Sequence, residues 1–209
     1  MTRPNRVDPW GDLHADPARG MFTGNRGPLV DDDGTIVRHH ASSTLWITCV
    51  LRFRDWRHPL DQPHIWTPLF FLDDAVALAA GHRPCAFCRR ADYRAYRDAV
   101  SADGPALRAM EIDRRLASER LRRGRGFSRA KDRPLWPTDV EALPVGTVVV
   151  DDERGPCLVG REALQAFTFG GWAAPFPRPS GEVAVLTPPT SVAALAGGFT
   201  PTLHPSAVT

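Results

Sequence analysis

The chain has 209 residues, 43% of them hydrophobic, and carries a formal net charge of +2, enough apolar material for one domain with an appendage or for two small domains. No apolar run approaches the roughly 18 residues of a membrane span, and the N-terminal stretch MTRPNRVDPWGDLHADPARG lacks the apolar segment of a secretory signal, so a soluble protein of the cytoplasm is expected. Four cysteines are too few for a disulfide scaffold of this size, which leaves metal binding or redox chemistry as the leading uses of a CxxC pair.

In chain order, residues 1–20 show no periodicity and are rich in Pro, Asp and Arg, which predicts a loose arm. The stretch PLVDDDGTIV then places an Asp-Gly turn between two apolar runs, the signal of a hairpin. The run Thr44 to Phe53, TLWITCVLRF, is branched and aromatic and predicts a buried strand carrying Cys49. Asp73 and Asp74 are N-cap residues for a helix AVALAA that Gly81 stops, and Cys85 and Cys88 follow directly. RRADYRAYRDAV predicts a helix with Tyr93 and Tyr96 on one face. A longer helix is expected from Asp103-Gly104-Pro105 to about Arg123, with Leu107, Ile112, Leu116 and Leu121 on one side and Glu111, Arg115, Glu119 and Arg123 as an alternating-charge ladder on another. From Val145 onward the pattern is β: GTVVV, a DDERG turn, CLVG, AFTFGGW and EVAVLTP.

The expected architecture is therefore α+β, a small mixed sheet with flanking helices organised around a zinc site, plus a C-terminal β-rich portion. Its divisions are a flexible arm at 1–20, a zinc-binding core at 21–102, a basic helix and loop at 103–136, and a β-rich portion at 137–209 packing back on the core.

Two sequence features carry chemistry. Residues 114–133 hold nine basic side chains against Glu119 and Asp132, a one-signed field that is either a solvated helix face or a surface for phosphates. Arg122, Arg123, Arg125, Arg129 and Lys131 of this field, with Arg89 and Arg90 after the CxxC, are the candidate nucleic-acid contacts, and Phe127 and Trp136 can stack on bases. The second feature is the pair Cys85 and Cys88. A redox CxxC opens a helix in a βαβ setting, whereas here a whole helix separates the motif from the strand before it. A zinc site fits better, because two thiolates on one turn supply two corners of a tetrahedron. Cys49 is the third candidate ligand. For the fourth, His204, His39, His40, His82 and Cys157 all come into consideration. His204 is favoured by an internal echo: Ala77, Leu78, Ala79, Gly81 and Pro84 recur at one offset as Ala194, Leu195, Ala196, Gly198 and Pro201, and the second copy leads to His204.

The stretch FFLDDAVALAAGHRPCAFCRR resembles the second half of the metal-binding domain of the Ada family of DNA-methylation repair proteins, in which a helix, an AAG-type stop and an RPCxxC turn supply two zinc cysteines. DGTIV followed by LWITC is similar to the strand that brings in the family's other cysteine pair, so the resemblance covers roughly residues 33–90. That pair is spaced CxxxC in the family, whereas Phe53 stands four residues after Cys49 here. The resemblance implies zinc as cofactor, DNA ahead of RNA as partner, and Cys49 as a methyl-accepting or purely ligating thiolate.

Three functional expectations follow: a zinc-containing nucleic-acid-binding protein linked to DNA modification or repair; a zinc enzyme on a nucleic acid or nucleotide-like substrate, either by methyl transfer to Cys49 or by hydrolysis with Asp113 or Glu119 as base; and an adaptor with a structural zinc.

Overall fold

The computed structural model describes residues 3–33, 35–41, 43–55, 65–102, 104–120 and 133–209. Among them the chain forms a mixed α+β structure with two six-stranded sheets. The first contains β1 (Pro4–Val7), β2 (Leu13–Ala15), β3 (Phe22–Asn25), β4 (Ile47–Val50), β5 (Leu69–Phe71) and β6 (Arg83–Pro84), in the order β2-β1-β5-β3-β4-β6. It is mixed: β1 runs parallel to β5 and β4 parallel to β6, while the other pairings are antiparallel. The second sheet is antiparallel throughout. It contains β7 (Trp136–Asp139), β8 (Val148–Asp151), β9 (Gly155–Val159), β10 (Ala163–Thr168), β11 (Gly171–Pro177) and β12 (Glu182–Val185), in the order β11-β10-β9-β8-β12-β7.

Four helices accompany the sheets among the described residues: α1 (Asp74–Ala79), α2 (Arg90–Val100), α3 (Ala109–Arg120) and α4 (Pro189–Ala196). The short α1 is buried along its whole length and joins the two sheets. Its alanines and Val76 pack in one cluster with Val7, Leu69 and Phe71 of the first sheet and with Val148, Leu158 and Trp172 of the second. Alanine is what permits this, since a helix squeezed between two sheets has room for little beyond a methyl group. The other helices form their own cluster around Leu78, Tyr96, Ile112, Leu116, Leu195 and Phe199. None of the described helices is long and apolar enough to cross a membrane.

Among the described residues, 3–20 do not form the expected loose arm. Pro4–Val7 and Leu13–Ala15 pair with each other, β1 also pairs with β5, and Val7 is buried. A 3- or 4-residue strand is too short to show periodicity, and tertiary pairing supplies what local pattern cannot. The hairpin is present as a turn in which Val30 bridges Ile36 and the Asp31 carboxylate accepts from the backbone of Asp33 and Thr35. Leu121 to Asp132, where the third helix was expected to continue and Gly124 to end it, lie outside the described residues.

The internal echo is structural at its helix ends. In α1 the N–H of Gly81 donates to Leu78 O and that of His82 to Ala77 O; in α4 the N–H of Gly198 donates to Leu195 O and that of Phe199 to Ala194 O. Both glycines are left-handed, with φ of 82° and 99°. These are two copies of one helix-ending motif, built by the same residues at the same positions. The second copy then returns to the first: Thr202 N donates to the Asp74 carboxylate, and Thr202 O accepts from Asp74 N.

Candidate metal centre

The parallel pairing of β4 and β6 sets Ile47 opposite Arg83 and Thr48 opposite Pro84, and Cys85 N donates to Thr48 O at 2.9 Å. One more step along both strands brings Cys49 beside Cys85. Pro84 is tolerated on this edge strand because the donors to β4 are its neighbours, Arg83 to Trp46 O and Cys85 to Thr48 O. The chain then turns: Arg89 N donates to Cys85 O, and Cys88 is delivered just ahead of α2. The sulfurs of Cys49, Cys85 and Cys88 all lie within 4.8 Å of one another, and all four cysteines of the chain are free thiols.

The surroundings of the sulfurs favour a thiolate at Cys85. Phe87 N donates to Cys85 Sγ at 3.4 Å, Cys85 also receives the Cys88 N–H, and Cys88 receives the N–H of Val50. Hydrogen bonds from the Cys49 and Cys88 thiols pull the Cys85 pKa down, with these backbone donors adding to the effect. The same thiol–thiol hydrogen bond pushes Cys49 up, reinforced by burial. For Cys88 the bond to Cys49 pulls down, but the bond to Cys85 and burial carry the net shift upward. Three thiols so close share their protons unequally, and a cation replacing those protons relieves the conflict.

Two arginines brace the turn from either end. Arg83 holds Asp113 of α3 through Nε–Oδ1 at 2.8 Å and Nη2–Oδ2 at 2.9 Å. Arg89 holds Asp74 of α1 at 2.6 and 2.8 Å, reaches Thr48 Oγ1 and Asp92, and lies over the ring of Phe22. Forked, bidentate pairs of this kind fix orientation as well as distance. The cysteine turn is thereby tied to two helices and to the strand that carries Cys49.

The other expected site residues are dispersed. His204 is not with the sulfurs: its backbone N–H donates to Asp73 Oδ2, its ring Nδ1 pairs with Ser206 Oγ, and it lies against Gly171 of the second sheet. The echo that favoured it repeats a helix end and not a ligand set. Among the described residues no other Cys, His, Asp or Glu joins the three sulfurs. Cys157 is buried in the second sheet, where burial raises its thiol to about 11. His82 is fully buried and accepts from Arg26 Nε, and His39 contacts the same guanidinium and Gly11 O. His40 packs its ring on Trp46.

Asp113 is committed to Arg83, and Glu119 accepts from both the backbone N–H and the hydroxyl of Thr190 in the first turn of α4. Neither is a free base, and Glu119 does not continue the charge ladder. Arg89 is 4% exposed and salt-bridged, so it is a brace and not a phosphate contact, whereas Arg90 is exposed. Arg122, Arg123, Arg125, Phe127, Arg129 and Lys131 lie outside the described residues. Trp136 donates its indole N–H to Thr187 O and packs on the core of the second sheet, so it is no free stacking surface.

A feature that motif reading did not single out is the pocket above the sulfurs. It has a volume of about 130 Å³; the three cysteines line it together with Asn25 and with Ile47, Val50, Leu51, Phe53, Trp66 and Phe87. The only sequence signal for it was an aromatic residue inside the CxxC turn, since its walls come from distant segments. Compared with protein-family models, with curated proteins and with solved structures, the chain matches none.

Proposed function

We propose that the chain is a zinc-thiolate protein in which Cys49, Cys85 and Cys88 hold the metal. The observation that supports this is the convergence of three sulfurs from two segments, backed by N–H donors and braced by buried arginine–carboxylate pairs. The donor set suits zinc, a borderline-soft cation that thiolates bind readily, and zinc bound there supplies charge that keeps the thiolates ionised. Thiols in this state belong in a reducing compartment, which fits the cytoplasm. Elemental analysis of the purified protein tests the reading. One zinc per chain is expected, lost on Cys49→Ser, Cys85→Ser or Cys88→Ser and kept on Cys157→Ser and His204→Ala. Protein free of zinc after purification in its presence overturns it.

A second reading, contact with a nucleic acid, DNA ahead of RNA, is supported by the surface next to the pocket. Arg52 and Arg54 flank the lining residue Phe53, Arg90 follows the turn, and Arg114 shares a neighbouring pocket with Cys85 and Phe87; all four arginines are exposed. Phe87 is itself 61% exposed and available for stacking. Anisotropy titration of labelled single- and double-stranded DNA and of RNA at several salt concentrations tests it. Affinity should fall steeply with salt, and removing one of these arginines should reduce the logarithmic salt slope by about 1. No binding at low salt refutes this reading and leaves the zinc reading standing.

A further inference from the structure

The three sulfurs form the floor of a pocket whose walls are apolar. Among the described residues Asn25 is the one amide side chain lining it, and its carboxamide oxygen already accepts from Gly27 N–H. Two properties of this arrangement bear on which ion suits it.

The first is charge. Three thiolates around a divalent cation leave one negative charge, while around a trivalent ion they leave none. A residual charge facing Ile47, Val50, Phe53 and Trp66 meets apolar side chains that offer it little solvation, which favours the neutral complex. The second is coordination number. Zinc of the structural kind takes four protein ligands, and among the described residues no fourth donor joins the three sulfurs. A trivalent metalloid with a lone pair is satisfied by three thiolates in a pyramid. Its lone pair points away from the sulfurs and needs neither a ligand nor a hydrogen-bond donor, which is what an apolar pocket provides.

We propose that Cys49, Cys85 and Cys88 form a binding site for a soft trivalent metalloid, of which arsenic(III) is the probe, taken as a neutral three-thiolate complex beneath the apolar pocket. The step is a condensation without redox change. Arsenous acid, As(OH)3, exchanges its three As–O bonds for three As–S bonds. Each thiol gives its proton to a departing hydroxide, and three waters leave. Where zinc occupies the site the thiolates carry no protons, so Zn²⁺ is released and the three departing hydroxides take their three protons from solvent. The inference goes beyond the zinc reading and uses the same sulfurs.

The test is a titration of the full-length reduced protein with arsenite, once as purified and once after metal removal. Bound arsenic, released zinc and thiols reactive toward a chromogenic disulfide are counted. The expected result is one arsenic per chain, protection of three of the four thiols, and release of any zinc in step with arsenic uptake. Cys49→Ser should weaken binding by at least about tenfold, while Cys157→Ser leaves it unchanged. The inference fails if only two thiols are protected, or if Cys49→Ser binds arsenite as well as the parent; either result reduces the site to an ordinary vicinal dithiol. It also fails if stoichiometric zinc is retained against excess arsenite, a result that leaves the zinc reading intact. Thiol counting on the parent protein needs no variant to fold.

Discussion

Arg89 lies one residue past the CxxC turn and places both of its terminal nitrogens on the carboxylate of Asp74, at 2.6 and 2.8 Å, with both side chains almost wholly buried. A buried pair is costly to assemble, but removing one partner is costlier, because an uncompensated charge is left behind. Asp74→Ala should therefore destabilise the protein by about 3–5 kcal/mol, while Asp74→Ala combined with Arg89→Met should cost less than the sum of the single changes. Urea unfolding of the four species of the cycle measures the coupling. Additive effects would mean that the pair holds nothing together.

Asp113 makes the parallel brace to Arg83. Asp113→Asn should lower stability and leave metal stoichiometry at the cysteines unchanged, since the carboxylate acts on the turn and not on the ion. Unfolding midpoints and elemental analysis of the same preparation check both halves. Loss of metal from a fully folded Asp113→Asn protein would make the brace part of the site.

The two glycines that end α1 and α4 share a left-handed conformation but not their surroundings. A Cβ on Gly81 would meet Arg120 at 2.6 Å from Cδ and 2.9 Å from Cβ, whereas one on Gly198 has nothing within 4 Å. Gly198→Ala should cost about 1 kcal/mol, the backbone penalty alone. Gly81→Ala should cost about 2–3 kcal/mol, because Arg120 must also give way. Arg120 is buried, packs over Trp46 and is tied to Gly81 O and Thr44 O. Equal losses in thermal unfolding would show that Arg120 moves freely.

His82 predicts the acid response. Burial, with Arg26, Arg120, His39 and Arg133 nearby, holds its pKa well below the ordinary 6.5. In the unfolded chain the ring takes up a proton near that ordinary value while the folded ring does not. The stability it contributes is present above the unfolded pKa and is lost as pH falls below it. Urea midpoints should therefore decline from about pH 7 to about pH 5, and His82→Phe should flatten the decline even though it loses the hydrogen bond from Arg26. An unchanged slope in the variant would assign the response to another group.

The turn with Cys85 and Cys88, the cap at Asp73 and the stop at Gly81 were legible because each rests on local chemistry, a capping oxygen or a left-handed glycine; the branched run at Thr44 to Phe53 gave a strand, but one confined to Ile47–Val50 and half-buried, with Leu45 and Leu51 exposed. The echo between residues 77–84 and 194–201 was legible for the same reason, and it has the same local outcome in both copies. Residues 1–20 were misread because their strands are short and draw their order from partners far along the chain.

Sequence by itself determined an α+β protein with a paired thiol turn and a third cysteine on a strand. Tertiary structure alone decided that β4 and β6 run parallel in the register that brings three sulfurs together, and that Arg89, Asp113 and Glu119 are buried or engaged and not poised for chemistry. It also decided that His204 closes the far end of α1. Spacing along the chain sets which backbone shapes are cheap, but which side chains share an apolar pocket depends on the packing of segments that the chain does not place next to one another.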